Sequence, residues 1–312
     1  MRIGRLGPLV AAVLAMTACA SPSTPTVDRA APAVPVAPDA AGIPACPLDA
    51  SPMDGWSDRA PPRRIFGNTY YVGTCGIAAL LVVGDAGAIL IDGATDRAPA
   101  AILANIRALG FDPRAIKRLL NTHEHMDHAG GLAGLQRATG APLLARAPAI
   151  AALRTGKPGH DDPQFGELAG FPAVADVRAL AESEAVRIGN LVLQSHATPG
   201  HAPGGTSWTW RSCEGARCLD IAYIDSHSAL TDGRYRFADH PGYVAAFERS
   251  LDTVAGLPCD VLLTPHPAAS NLLARLRGDA PLAEAGACKA FSANARANLA
   301  ARLANERKED PQ

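Results

Sequence analysis

The segment Thr122-His123-Glu124-His125-Met126-Asp127-His128 places three imidazoles and, among them, the Asp127 carboxylate within six consecutive positions, in a chain with only nine His among 312 residues. Imidazole is a borderline ligand suited to zinc, and a carboxylate among imidazoles adds a hard oxygen and a negative charge to offset the cation. His123 and His125 stand two apart at the end of an apolar run, so both rings can reach one metal and leave room for a third ligand. His201, after Pro199-Gly200, supplies it. Asp127 and His128 lie further round the turn and face a second metal, completed by His266, whose loop is stiffened by Pro265 and Pro267. Two open three-ligand sites at about 3.5–4 Å can share a hydroxide near neutral pH, which dispenses with a Ser or Cys nucleophile.

The other candidates read more plainly. His160 and His240 fall in polar loops and are expected to be solvated, while His196 reads as a hydrogen-bonded strand residue. Asp92, closing the apolar run Ile89-Leu90-Ile91, is read as an acceptor behind the metal ligands that orients the His loop; Glu124 and Met126 are read as scaffold.

The elements that must position these groups begin with strands over 65–72, 78–83 and 88–92, separated by Gly-containing turns. Asp96 can cap a helix running to Leu109, with Gly110 as terminator. A strand over 118–121 then delivers the His cluster at its carboxyl end, where a rigid scaffold supports ligand-bearing loops. Helices over 131–138 and 148–154 flank a strand at 142–144, and 156–170 reads as an irregular substrate-side loop. Strands over 191–198, 206–211, 219–224 and 261–264, a helix over 243–254 and a C-terminal helix from Lys289 complete the pattern. This order suggests two β-rich layers flanked by helices.

A net charge of −1 with interspersed signs gives no basic face, which argues against a nucleic-acid partner. Arg2, Arg5 and the apolar run from Leu9 to Met16 form a targeting segment over residues 1–20, too short to span a bilayer as a permanent helix. Met16-Thr17-Ala18-Cys19 resembles a lipobox, and Ala18-Cys19-Ala20 also fits an ordinary signal-peptidase site. The Ala/Pro-rich stretch 21–54 reads as a tether, leaving 55–312 as the folded domain. The expected location is the periplasm, with membrane attachment only through lipidation at Cys19, and the expected form is a monomer.

Six cysteines remain after cleavage, an even number in an oxidising compartment, and they allow fifteen connectivities. Cys213-Glu-Gly-Ala-Arg-Cys218 is a turn that brings its own ends together, so Cys213 with Cys218 is the leading pair. Cys46 with Cys75 and Cys259 with Cys288 are the expected others, each closing about thirty residues for roughly 3 kcal/mol. A zinc site built from these cysteines is the competing reading, but no paired C-x-x-C spacing exists.

The 122–128 segment, with Pro199-Gly200-His201 and Pro265-His266, resembles the metallo-β-lactamase superfamily. Its ligand set resembles subclass B3, in which three His bind one zinc and Asp-His-His the other; Ser226 matches the position where other subclasses place a zinc-binding Cys. Stretches at 67–76, 102–111 and 206–215 look close to the Adelaide imipenemase branch, which also has the three disulfides. The resemblance implies an α+β fold, a four-layer αβ/βα sandwich with a dizinc site in the groove between its halves. It further implies two Zn2+ per chain and hydrolysis of the β-lactam amide of penicillins, cephalosporins and carbapenems by a metal-bound hydroxide, conferring antibiotic resistance. In that reading Asp127 also orients the hydroxide, Ser226 and Ser228 hold the substrate carboxylate, and Gln164 matches a substrate-loop residue. His227 departs from the usual apolar residue between the two hydroxyls, and strand alternation points it away from the substrate. If it faced the groove instead, its protonation near pH 6.5 would add positive charge beside the carboxylate site.

Two alternatives stay open. A thioesterase of the glyoxalase II type or a lactonase shares the His/Asp frame and would use Asp225 as a metal-bridging ligand if the strand register differed by one residue. A non-catalytic periplasmic zinc-binding protein would close its coordination sphere with protein ligands.

Overall fold

The computed structural model describes residues 43–48, 51 and 53–308, together with Met1 and Gly4. The chain divides into units Met1–Pro35 and Val36–Gln312, and every element below belongs to the second. All of the targeting segment but Met1 and Gly4, the lipobox cysteine, and most of the 21–54 stretch read as a tether lie outside the described residues.

The chain opens as an antiparallel meander: β1 (Arg63–Phe66), β2 (Thr69–Tyr71), β3 (Leu80–Gly84) and β4 (Gly87–Ile91). The single strand expected over 65–72 is in fact a hairpin, because Gly67 turns the chain at φ +53°, against the backbone of Cys213, where a side chain has no room. After α1 (Pro99–Ala108), the strands β5 (Ile116–Leu120), β6 (Leu143–Arg146) and β7 (Val177–Leu180) join in parallel, giving a seven-stranded sheet in sequence order. Between them run α2 (Met126–Ala129), α3 (Leu132–Thr139) and α4 (Ala147–Thr155). Ala98, not Asp96, occupies the N-cap of α1, and Pro at its first turn makes a side-chain cap dispensable.

The second sheet has five strands in the order β12-β11-β10-β9-β8. They are β8 (Ala185–Ile188), β9 (Leu191–Ala197), β10 (Thr206–Glu214), β11 (Arg217–Tyr223) and β12 (Val261–Leu263), with α5 (Pro241–Gly256), α6 (Leu272–Arg277) and α7 (Ala287–Lys308) around them. β7, β8 and α6 were not expected from sequence; each has four to six residues, too few for a periodic signal.

Strand alternation sorts the core into layers. Leu80, Val82, Ile89 and Ile91 point between the sheets to meet Leu193, Trp208, Trp210, Ile221 and Tyr223. Leu81, Leu90 and Leu119 point the other way, onto Ile102 and Ile106 of α1 and Leu132 and Leu135 of α3. On the far face Phe247 and Leu251 of α5 pack with Ala295 and Leu299 of α7. The result is helix–sheet–sheet–helix. Trp208 bolts the sheets together by donating its indole N–H to the Asn121 carbonyl (3.0 Å), as does Trp210 to Thr69 Oγ1 (2.9 Å). Cys46–Cys75, Cys213–Cys218 and Cys259–Cys288 are all bonded; the first ties a residue of the presumed tether onto the domain.

Direction then decides where ligands can gather. β9 and β11 both run antiparallel to β10, and β12 runs parallel to β11, so these three strands share a carboxyl-terminal edge. The loops after them carry His201, Ser226 with Ser228, and His266. β5 delivers His123 to His128 at the facing edge of the other sheet, where the Thr206 N–H donates to the Thr122 carbonyl at 2.7 Å.

Candidate metal centre

His123, His125 and His201 are buried together, with the ring centroids of His123 lying 4.6 Å and 5.0 Å from the other two. Their ligand atoms lie within 4.8 Å of one another, as do those of His123, Asp127 and His128, so His123 belongs to both groups and the two adjoin. His266 joins the second through Asp127: its Nε2 stands 3.3 Å from Asp127 Oδ2 and 3.2 Å from His128 Nε2, and His128 Nε2 is 3.1 Å from the same oxygen. A tetrahedral ion with bonds of about 2.0–2.1 Å separates its ligand atoms by about 3.3 Å. The three atoms therefore have the spacing of one coordination sphere.

Behind these rings sit carboxylates. Asp225 Oδ1 accepts from His123 Nδ1 at 2.7 Å, which leaves His123 Nε2 buried, without a partner and available to a cation. Asp162 Oδ2 accepts from His125 Nε2 at 2.8 Å, so Nδ1 is the atom His125 can offer. His201 Nδ1 lies 2.8 Å from Ser228 Oγ and 3.1 Å from the Ser228 carbonyl, which leaves its Nε2. Such partners fix the tautomer and raise ligand basicity.

The electrostatics follow from burial. Desolvation holds the His123 imidazole well below its ordinary range and pushes the Asp225 carboxyl well above its own, so the pair shares a hydrogen bond rather than a full ion pair. A cation on Nε2 would be the counter-charge favouring carboxylate. Burial also raises Asp127, but the imidazoles of His128 and His266 outweigh it and hold this carboxyl well below its usual range. Burial lowers His125, yet its bond to Asp162 prevails and raises it. The residues present fit a metal centre.

Asp92 is buried and follows directly on β4. It accepts the Thr122 N–H at 2.7 Å, the Thr122 hydroxyl at 3.0 Å and the Tyr223 hydroxyl at 2.6 Å, and burial pushes its carboxyl up to about 6. It achieves this with φ +64°, a conformation rare for a residue with a side chain. Gln164 Nε2 lies 3.4 Å from both ring nitrogens of His201. Ser226 and Ser228 are half-buried while His227 between them is buried, so the segment alternates and His227 faces away from the groove. His160 and His240 are exposed, the first lying tilted against Phe165 and the second stacked on Tyr235; His196 bonds Thr209 Oγ1 at 2.8 Å.

Three carboxylates have more to do than sequence reasoning gave them. Glu124, read as scaffold, is buried and accepts the Gly204 N–H at 2.8 Å, pinning the His201 loop to the His cluster; burial pushes it up to about 7. Gly204 is required there, since a Cβ would come within 2.2 Å of Glu124 Oε2. Asp162 had no signal beyond its neighbour Pro163. Asp225, considered as a bridging ligand, is turned back onto His123.

Residues 72–266 match the model of the metallo-β-lactamase superfamily. The metallo-β-lactamase MIM-1 from Novosphingobium pentaromativorans is 48% identical, with 88% of this chain and 99% of that one covered at a TM-score of 0.81. MEM-A1, a subclass B3 metallo-β-lactamase from a soil metagenome library, is 40% identical over 82% of this chain and 100% of that one, with a TM-score of 0.79. A hydroxyacylglutathione hydrolase of Anaeromyxobacter dehalogenans is 34% identical over 151 residues, 47% of this chain and only 45% of that relative's length.

Proposed function

This chain belongs to the metallo-β-lactamase superfamily, and from that premise we infer that it is a subclass B3 enzyme hydrolysing the β-lactam amide of antibiotics, with zinc as its metal. The observation that carries the reading is the placement of Asp225. Its Oδ1 is engaged with His123 Nδ1, behind the ligand ring, and Ser226 takes the half-exposed place beside it. A thioesterase of the glyoxalase II type needs that carboxylate between the metals, and the weaker likeness to the hydroxyacylglutathione hydrolase covers under half of that protein.

His123, His125 and His201 would hold one Zn2+, and Asp127, His128 and His266 a second. Bound there, zinc supplies Lewis acidity to the lactam carbonyl and lowers the pKa of water toward neutrality. The chain's own groups do the rest. Asp127 uses Oδ2 toward His128 and His266, which leaves Oδ1 to accept a hydrogen bond from the attacking water and orient it, the proton released by the water passing to the lactam nitrogen as the C–N bond breaks. His201 Nδ1–H donates to Ser228 Oγ, so the Ser228 hydroxyl hydrogen is free to point into the groove. There it would join Ser226 on the substrate carboxylate, with the Gln164 amide alongside. Asp92 and Glu124 hold the His loop and the His201 loop in register, which keeps the reacting groups pre-positioned.

We place the enzyme in the periplasm as a monomer whose substrates include carbapenems. No helix among the described residues is long and apolar enough to cross a membrane. Hydrolysis of a carbapenem by the purified mature protein, abolished by a chelator and restored by zinc, tests the reading; turnover of thioester or lactone substrates with none of the lactam would overturn it.

A further inference from the structure

His227 lies between the two groove-facing serines but takes no part in the groove. It is 4% exposed, and its ring rests against Phe247 of α5 and Phe291 of α7, each at 5.9 Å between centroids. Its Nδ1 lies 2.7 Å from the carbonyl oxygen of Asp225, two residues back. A carbonyl only accepts, so the proton must sit on Nδ1, which leaves Nε2 as the bare nitrogen. That atom is buried and has no partner among the described residues. No charged side chain on α5, on α7 or on its own segment acts on the ring; burial alone carries its pKa down to about 4, so it stays neutral across the working range.

The bond closes a short ring over the peptides of Ser226 and His227, and the described residues give the Asp225 carbonyl no other donor. The same segment, Asp225 to Ser228, fixes the Asp225 carboxylate behind His123 and carries Ser228 to His201. We propose that His227 is a positioning residue: by donating Nδ1–H to the Asp225 carbonyl it sets the turn that presents the Ser226 and Ser228 hydroxyls to the substrate's carboxylate. A leucine would fill the same apolar space but leave the turn unclamped, whereas an asparagine places an amide N–H near the Nδ1 position. The inference rests on the proposed β-lactam reaction for the identity of the substrate group, though not for the clamp itself.

The test uses the metal-loaded full protein and a carbapenem. In His227→Leu, KM should rise about tenfold, the loss expected when a charge-assisted hydrogen bond to a carboxylate is misaligned, while kcat stays within about twofold. His227→Asn should recover most of that loss. Long-range proton–nitrogen NMR correlations of wild-type His227 should show the Nδ1–H tautomer. A folded His227→Leu with unchanged KM, a loss confined to kcat, no rescue by Asn or an Nε2–H tautomer would each overturn the clamp. If His227→Leu does not fold, the Asn variant and the tautomer decide. Absence of lactam turnover by the wild type would instead sink the functional reading, and the tautomer would still report on the clamp.

Discussion

The two ligand groups differ in what stands behind their rings. His123, His125 and His201 each direct the nitrogen facing away from the cluster onto an oxygen, of Asp225, Asp162 and Ser228 respectively. In the other group the Nδ1 atoms of His128 and His266 are buried without a partner, and its members cohere through Asp127 Oδ2. The first group is oriented by the fold before any metal arrives. The second is held by one carboxylate and by the ion it awaits. Metal affinity should therefore be unequal, with the first group filling first and emptying last.

His266→Ala should have the largest effect, costing more than about 100-fold in turnover and one of two metal equivalents while the first group stays loaded; loss of both equivalents by elemental analysis would erase the distinction. Asp225→Asn removes the negative charge behind His123 while keeping an oxygen acceptor, and should weaken the tighter metal by about 100-fold. Asp162→Asn touches His125 alone and should cost about tenfold at that same metal, leaving the weaker one unchanged in a competitive chelator titration. An equal effect on both metals would mean that the outer carboxylates do not set the order of filling.

The smallest effect is on the acid side and belongs to neither group. The unfolded chain binds a proton at His227 near pH 6.5, but the folded chain resists it down to about 4, so stability falls as pH falls through this window. Between about pH 7 and about pH 5.5 the loss should be about 1 kcal/mol, read as a decline in Tm of about 2–4 °C that His227→Leu lacks. A decline of the same size in the variant would assign it to other groups.

The candidate ligands could be picked out because their chemistry is dense and local: four of the six fall within 123–128, and His201 and His266 each stand in a Pro-containing loop just after a strand. The layers were legible because continuous apolar runs such as Leu80 to Val83 read as strands covered on both faces. The supporting acceptors were not. Asp162, Asp225 and Glu124 are ordinary acidic residues in sequence, and only tertiary placement, 37 residues from His125 and 102 from His123 for the first two, gives them their roles. The hairpin at Gly67 was missed because a single glycine inside an apolar run carries no periodic mark, and its necessity comes from Cys213 across the molecule.

His123 to His128 descend from one sheet, whereas His201 and His266 descend from the other, and the indole of Trp208 fastens the seam beneath them. Neither half supplies all six candidate ligands, so both groups are complete only when the halves are docked. Free energy of metal binding is then free energy of assembly. Metal bound across the seam would therefore add to what the core and the indoles already supply, and its removal should lower the Tm of the whole domain.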